Sequence, residues 1–437
     1  RNWGRDTFIS LRGILLCNGR YKEAANTIRG YLCALRHGLV PNLLDGCNNS
    51  RYNARDATWF CLASIVDYCR IAPNGLSILD ETVYRLDARK GEEVSQLNTN
   101  KERIMTVAEC MQEVLRAHAN GIHFREYNAG PKIDSVMTSE GFNIDITTSP
   151  STGIISGGNE ANCGTWMDKM GSSTRAHNCG QPGSSRDGAD VEIQGLLSKV
   201  LHFINTTPSF PFKSVNIKLY GELTYEEWER RLTNNFHKYF YVPEEPSQDK
   251  DFVIESHIVN KRGIYKDVYG SKKQWPDYQL RPNFLVTLVE APELFKDHQK
   301  EVKQALRVVR KYLVGPLGMK TLDPTDWNYR PDYYNTDNDD YSTANGLNYH
   351  NGPEWVWPYG YYVMAMLMYN PDNLSKEDLK TYCRSLLYNH NKYINNDEWM
   401  SLPELTNYNG AKCYASCDSQ AWSIATVLDA VKRIEAY

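Results

Sequence analysis

The sequence predicts an all-α fold in which helical hairpins form a closed ring. Apolar residues recur at helical spacing along most of the 437 residues, and the connections tend to alternate between short turns and long polar segments. In a ring of hairpins every second connection emerges at the same end, so the long segments should share one rim. Six hairpins need twelve helices, whereas we count eleven. We therefore expect an (α/α)6 toroid whose first helix would precede Arg1.

The helices are predicted from apolar faces and their stop signals. The clearest face consists of Val302, Ala305, Leu306, Val309 and Leu313. It stops at Gly315, a residue type that commonly follows a helix C-terminus. The predicted helices span residues 6–17, 21–36, 55–70, 104–118, 188–204, 223–239, 283–290, 297–313, 355–369, 375–391 and 418–435.

The connections carry most of the chemically interesting residues. Tight turns follow residues 17, 290 and 369. The Trp/Asp/Asn/Gly-rich motifs concentrate in the long segments 37–54, 119–187, 240–282, 314–354 and 392–417. Segment 71–103 is the exception, because it is long and polar without such a motif. Loops on a rigid scaffold commonly carry function, so the site is expected on this rim.

Composition excludes several classes of partner. A net charge of −4 gives no reason to expect nucleic acid or an anionic membrane surface. There is no long apolar run for a transmembrane span and no signal-peptide pattern. The 11 cysteines are scattered without a framework spacing, which is typical of free thiols in a reducing, cytoplasmic compartment. Cys413 and Cys417 lack a second ligand pair, so we expect neither a metal nor a cofactor.

Aromatic residues are the compositional outlier. The chain has 29 Tyr and 10 Trp, many of them in polar loops where packing alone does not require them. Such rings favour a flat, polar ligand such as a carbohydrate. The alternative is that surface tyrosines cover the core of a large helical protein.

Two isolated carboxylates indicate glycoside hydrolysis. Asp168 stands beside Trp166 in Gly164–Gly171 (GTWMDKMG), and Glu404 stands in Ser401–Asn407 (SLPELTN). Hydrolysis of a glycosidic bond needs one carboxyl group to protonate the leaving oxygen and another to activate water or attack. Trp166 and Met167 could raise the pKa of Asp168, whereas Lys169 would lower it if it pointed into the site. A turn-forming Asp168 and a plain surface Glu404 are the alternatives.

Two Arg-Asp pairs precede helices at long-loop junctions. They are Arg5 with Asp6 and Arg55 with Asp56. An adjacent donor and acceptor can hold neighbouring sugar hydroxyls, although a structural ion pair at a helix N-terminus would look the same. The repetition on one rim favours the binding interpretation.

A further pair of motifs flanks the loop 314–354. Trp327 and Trp355 are predicted to be walls of a pocket. Glu354 either complements a helix N-terminus or competes with Glu404 as the catalytic base.

Five motifs together resemble a known family, the C-terminal glucosidase domain of eukaryotic glycogen debranching enzymes. They are Trp3–Thr7 (WGRDT), Tyr52–Asp56 (YNARD), Asn162–Gly171 (NCGTWMDKMG), Asn348–Pro358 (NYHNGPEWVWP) and Leu402–Asn407 (LPELTN). The resemblance covers essentially the whole chain, so it implies that residues 1–437 are one glucosidase domain with a glucoamylase-like toroid. It also implies that a 4-α-glucanotransferase half normally precedes this domain. The opening of the chain at Arg1, inside a motif, agrees with a piece of something longer.

The resemblance also implies the reaction and the role of each residue. The substrate would be the single α-1,6-linked glucose at a branch point of glycogen or limit dextrin. Asp168 would be the general acid and Glu404 the general base, with Glu354 left to binding or structure. Arg5 and Asp6 would hold hydroxyls of the terminal glucose, and Trp3, Arg55, Asp56, Trp166, Trp327 and Trp355 complete the expected substrate-binding set. An inverting mechanism predicts carboxyl groups about 6.5–9.5 Å apart.

Two alternatives stay open at this point. One is a glycogen-binding fragment that does no chemistry alone, and the other is a different toroid hydrolase, such as one acting on trehalose.

Overall fold

A computed structural model describes residues 2–45, 50–86, 104–126 and 131–437 of the protein. Each of the eleven predicted helices is present, although the predicted helix 375–391 is two helices that meet at Leu387. One short helix at Pro131–Asp134 was not predicted. The helices are α1 (Gly4–Ile14), α2 (Tyr21–Cys33), α3 (Ala57–Ile71), α4 (Val107–Asn120), α5 (Pro131–Asp134), α6 (Val191–Thr206), α7 (Tyr225–Phe240), α8 (Phe284–Glu290), α9 (Gln299–Tyr312), α10 (Trp357–Tyr369), α11 (Lys376–Leu386), α12 (Tyr388–Asn396) and α13 (Ala421–Ala436).

Helix boundaries follow local capping chemistry. The helix predicted to begin at residue 104 begins at Val107, because Thr106 and Glu109 form a reciprocal capping box there. Residues Ile104–Thr106 form a strand instead. Residues 87–103 of the long connection 71–103 lie outside the described residues.

Six helices form an inner ring. In the order α1, α3, α6, α8, α10 and α13, each contacts the next, and α13 closes the ring on α1. Helices α3, α6 and α10 are buried along most of their length, as expected for helices enclosed on all sides. Among the described helices, α2, α4, α7, α9 and α11 lie outside this ring, and α9 buries only the apolar face predicted from the sequence.

Glycines allow three of the inner contacts to be close. Gly13 of α1 faces the backbone of Ala425 in α13, and a Cβ atom there would clash with it. Gly195 brings α6 against Thr287 of α8 in the same way. Gly360 does so between α10 and Thr426 of α13. The ring therefore depends on backbone approach at positions where no side chain fits.

Short antiparallel strands lie in the connections, so the molecule is mainly but not entirely helical. They are β1 (Thr82–Tyr84), β2 (Ile104–Thr106), β3 (Ile122–Arg125), β4 (Asn143–Thr148), β5 (Ile155–Gly157), β6 (Ala189–Asp190), β7 (Ser214–Ile217), β8 (Gly221–Thr224), β9 (Tyr241–Val242), β10 (Ile264–Tyr265), β11 (Val268–Tyr269), β12 (Met319–Lys320), β13 (Glu354–Trp355), β14 (Leu405–Asn407) and β15 (Ala411–Lys412). Among the described residues the largest sheet has the order β12-β13-β14-β15, and its register pairs Trp355 with Leu405. This sheet joins the loops 314–354 and 392–417, which the sequence places far apart. None of the described helices is long and apolar enough to cross a membrane.

We expect Gly13→Ala and Gly30→Ala to have opposite effects on stability. Gly13 has no room for a methyl group, so overpacking should lower the free energy of unfolding by about 1–3 kcal/mol. Gly30 lies exposed within α2 with nothing near its Cβ direction, so alanine should stabilise by about 0.5–1 kcal/mol. Denaturant unfolding of both variants measures the difference, and a Gly13→Ala protein as stable as the unaltered one would contradict the close α1–α13 contact.

Candidate active site

A cavity of about 640 Å³ lies beside α1 and the start of α13. Separate segments line it: α1 from its start to Leu15 just beyond its end, Thr27 of α2, the loop that holds Asp168, the segment before α10, the loop that holds Glu404, and the start of α13. Seven of the predicted site residues line this cavity, namely Trp3, Arg5, Asp6, Trp166, Asp168, Trp355 and Glu404. Tyr349, His350 and Trp422 also line it and were not singled out from the sequence.

Asp168 projects into the cavity from the loop between β5 and β6. Its side chain is 42% exposed, and its Oδ2 atom lies 3.2 Å from Nη1 of Arg5. Nε of the same guanidinium lies 2.7 Å from Oδ2 of Asp56, which is fully buried. Although the carboxyl group faces the cavity, the surrounding protein removes enough water to raise the pKa of Asp168, and Arg5 opposes this rise. A raised pKa is what a general acid requires near neutral pH.

Glu404 is held where its loop meets β14. Its backbone N–H donates to the carbonyl of Cys417 at 2.9 Å, and its carbonyl accepts from Val356 at 3.2 Å. Its carboxylate accepts from the N–H of Cys417 at 3.4 Å and from the hydroxyl of Tyr349. Burial raises the pKa of Glu404, whereas these two hydrogen bonds and the charge of Lys169 lower it. The net shift of the pKa is upward, and the charge of Asp168 adds to it. A base must be ionised to accept a proton, so the groups that lower the pKa limit this rise.

Lys169, whose direction the sequence left open, does not line this cavity within the described residues but points toward Asn335, Tyr333 and Tyr349. Its Nζ lies 3.4 Å from Oδ1 of Asn335. It also lies 5.8 Å and 5.7 Å from the ring centres of Tyr333 and Tyr349. The charge of Lys169 therefore lies close to Tyr349, the tyrosine whose hydroxyl donates to Glu404.

An aromatic cluster forms the floor of the cavity. Trp166 is only 1% exposed, although it lines the cavity beside Asp168. Its ring meets Trp355 edge-on at 5.2 Å and Trp357 at 5.0 Å. Its Nε1 donates to Oδ1 of Asn283 at 2.8 Å. A buried indole with its N–H satisfied gives a rigid apolar floor next to the carboxylate.

The comparisons with known proteins decide the family. A family model described as amylo-alpha-1,6-glucosidase matches residues 1–429. The glycogen debranching enzyme of Saccharomyces cerevisiae is 46% identical over 98% of this chain, and the chain spans 29% of that enzyme's length. The chain belongs to the amylo-alpha-1,6-glucosidase family. It is therefore a glycoside hydrolase.

A solved structure is similar in fold to this amylo-alpha-1,6-glucosidase family member. The neutral trehalase Nth1 from Saccharomyces cerevisiae matches 98% of this chain and 71% of its own, with a TM-score of 0.50 and 11% sequence identity. At this identity the likeness concerns the fold alone.

Asp6 is the third carboxyl group of the cavity in this family member. It lies in the first turn of α1, next to Arg5. Burial and the negative charges of Asp168 and Glu404 raise the pKa of Asp6 to about 7, against the attraction of Arg5. Its protonation therefore changes in the range where the other two carboxyl groups must work.

Arg55 and Asp56 lie behind the wall of the cavity rather than on it. The Arg55 guanidinium donates to the carbonyls of Gly157, Arg186 and Gly188 at 2.6–3.0 Å. It also pairs with Asp190 at 2.8 Å. Within the described residues neither Arg55 nor Asp56 lines the cavity, so both hold loops and Arg5 in place. Their predicted contact with substrate is not supported by this placement.

Glu354 and Trp327 are also outside the cavity that the described residues enclose. Glu354 is fully buried and accepts from the N–H groups of Asn409 and Gly410, both at 3.1 Å, with Lys320 at 3.4 Å. Trp327 is 68% exposed and packs edge-on against Trp275 at 5.1 Å. Glu354 thus has a structural set of partners, and Trp327 is a surface residue rather than a pocket wall.

A buried ionic cluster is connected to the aromatic cluster through Asn283. Arg186 pairs with Asp267 at 2.8 Å and also contacts Glu192 through both of its Nη atoms. Asn283 donates to Asp267 at 2.7 Å while it accepts from Trp166. In the part of the chain that the structure describes, no group of three or more His, Cys, Asp or Glu residues could hold a metal ion.

We expect Asp6→Asn to stabilise the protein more at pH 8 than at pH 5. The pKa of Asp6 is about 7 when folded, above the value of about 3.9 for an unfolded aspartate. Because the folded form holds its proton longer, the stability that this proton provides is fully present below the unfolded pKa and is lost as the pH rises through 7. Thermal denaturation of both proteins at several pH values measures the difference.

An equal gain at every pH would contradict the raised pKa of Asp6. Asp251→Asn, at an exposed carboxylate outside the cavity, is the matched control, and its effect should stay within about 0.5 kcal/mol.

Proposed function

We propose that this chain hydrolyses the single α-1,6-linked glucose that remains at a branch point of glycogen or limit dextrin. The observation that carries the proposal is that Asp168 and Glu404, from two loops far apart in the sequence, line one cavity in a member of the amylo-alpha-1,6-glucosidase family. The similarity to a glycogen debranching enzyme supports the choice of substrate.

In the proposed reaction Asp168 is the general acid and Glu404 the general base. Asp168 transfers its proton to the glycosidic oxygen while the bond between that oxygen and C1 of glucose breaks. A water molecule attacks C1 from the opposite face and loses a proton to Glu404. The products are free glucose and a glucan with a restored hydroxyl, and C1 is inverted if the carboxyl groups are about 6.5–9.5 Å apart.

The remaining cavity residues are proposed to bind the glucose. Arg5 and Asp6 present a donor and an acceptor for its hydroxyls, and Trp3 and Trp355 contribute apolar surface for its C–H faces. Arg55 and Asp56 act on the substrate only indirectly, through the loop carbonyls and Arg5.

We also propose that residues 1–437 form one (α/α)6 toroid. The closed ring of six inner helices and the fold likeness to trehalase support it. The twelfth helix, expected before Arg1, stays a prediction. The chain spans 29% of the yeast enzyme, which supports action beside a 4-α-glucanotransferase half of the same polypeptide. All ten cysteines within the described residues are free thiols, which favours the cytoplasm.

We expect Asp168→Asn and Glu404→Gln each to lower the rate of glucose release by roughly 10²–10⁴-fold, because each removes a proton-transfer group. The measurement is the glucose released from a branched oligosaccharide, with thermal denaturation to show that each variant folds.

Glu354→Gln is the matched control. It removes a carboxylate that the structure places among structural partners. We expect it to lower stability and to leave kcat of the folded protein nearly unchanged. Loss of turnover in a folded Glu354→Gln protein, with Glu404→Gln still active, would show that the base is assigned wrongly.

We expect β-glucose to be the first anomer released from an α-1,6-glucosyl branch, because inversion follows from attack on the opposite face. Real-time proton NMR distinguishes the anomers before they equilibrate. Early α-glucose would mean a retaining mechanism and would contradict Glu404 as general base.

A further inference from the structure

A second cavity adjoins the first at Asp168. Its volume is about 410 Å³, and it shares Trp3, Asp168 and Tyr349 with the first cavity. Glu404 lines the first cavity but, within the described residues, not the second. Asp168 therefore lies at the boundary between the two cavities, and Glu404 lines only the first of them.

This asymmetry assigns an occupant to each cavity. A general base must face C1 of the glucose that is released, because the attacking water lies between them. Glucose therefore belongs in the first cavity, with Glu404. The general acid must reach the glycosidic oxygen, which joins glucose to the leaving group. The leaving group then lies on the other side of Asp168, in the second cavity.

The lining of the second cavity fits a carbohydrate chain. One part of it is apolar, with Val136, Met137 and Met170. Another part is polar, with Asn53, Ser172, Asn335 and Asn345. Apolar surface suits the C–H faces of sugar rings, and amides both donate to and accept from hydroxyls.

These polar groups are available for a ligand. Within the described residues, the side chains of Asn53, Ser172 and Asn345 have no hydrogen-bond partner, and all three are half-buried. Asn335 accepts from Lys169 through Oδ1 at 3.4 Å, which leaves its NH₂ group free to donate. Asn335 is exposed, and Lys169 contacts only the oxygen of its amide.

We propose that the second cavity binds the glucan main chain to which the glucose branch is attached, and that Asn53 and Asn335 give the enzyme its preference for a glucan leaving group over a small one. This inference rests on the proposed function, with Asp168 as acid and Glu404 as base.

The test compares leaving groups of decreasing size. The variant is Asn53→Ala/Asn335→Ala, and the matched control is Asn395→Ala, an exposed asparagine of α12 outside both cavities. The substrates are a maltooligosaccharide with one α-1,6-glucosyl branch, isomaltose and α-glucosyl fluoride. Fluoride is too small to use the second cavity, so its hydrolysis reports on the first cavity alone.

We expect kcat/KM of the double variant to fall at least tenfold on the branched oligosaccharide, less on isomaltose and not at all on the fluoride. The control should match the unaltered protein on all three substrates. An equal loss on every substrate would overturn the proposal, because it would show an effect through Lys169 and the catalytic carboxylates. Full activity of the double variant on the branched substrate would overturn it as well.

Failure of the proposed function gives a different result. In that case the unaltered protein itself would release no glucose from the branched oligosaccharide, before any variant is compared.

Discussion

The site depends on one buried guanidinium. Arg5 is 3% exposed and joins two carboxylates, Asp56 at 2.7 Å and Asp168 at 3.2 Å, so it ties together the start of α1, the start of α3 and the loop before α6. These charges hold the pKa of Arg5 above its ordinary value despite its burial. Asp56 has little contact with water, so removal of Arg5 would leave it a buried charge without this partner, a change that commonly costs several kcal/mol.

Placement rather than pKa separates the proposed roles of the two carboxyl groups. Burial raises the pKa of both Asp168 and Glu404, and each has positive or hydrogen-bonding neighbours that work against it. Direction of shift alone therefore does not say which is the acid. The difference is that Asp168 borders two cavities, whereas Glu404 borders the one that also contains Arg5 and Asp6. A proton donor between glucose and its leaving group needs the first position, and a base that faces only the glucose needs the second.

The helices were predictable from sequence because their signals are local. The apolar face of α9 involves residues only a few positions apart. The capping box of α4 is equally local, but the predicted start at residue 104 did not use it. The burial of Trp166 was not predictable from the sequence, since it depends on Trp355 and Trp357, nearly two hundred residues away. Strand β14, which positions Glu404, has only three residues and no alternation to detect. The Arg-Asp repetition is visible in the sequence, but only the tertiary structure shows that Arg5 and Asp6 line the cavity whereas Arg55 and Asp56 lie behind its wall.

The orientation of Trp166 is set by an aromatic cluster and by a buried ion pair that Asn283 links to it. Aromatic rings meet edge-on around Trp166, and beneath them Arg186 pairs with Asp267. Asn283 connects the layers, since it accepts from the indole of Trp166 and donates to Asp267. With apolar packing alone, only the shape of the surrounding side chains would set the orientation of the indole ring. The hydrogen bond from its N–H holds the ring in one orientation. Because Trp166 is two residues from Asp168, an indole held in this way also limits the movement of the carboxyl group that must reach the glycosidic oxygen.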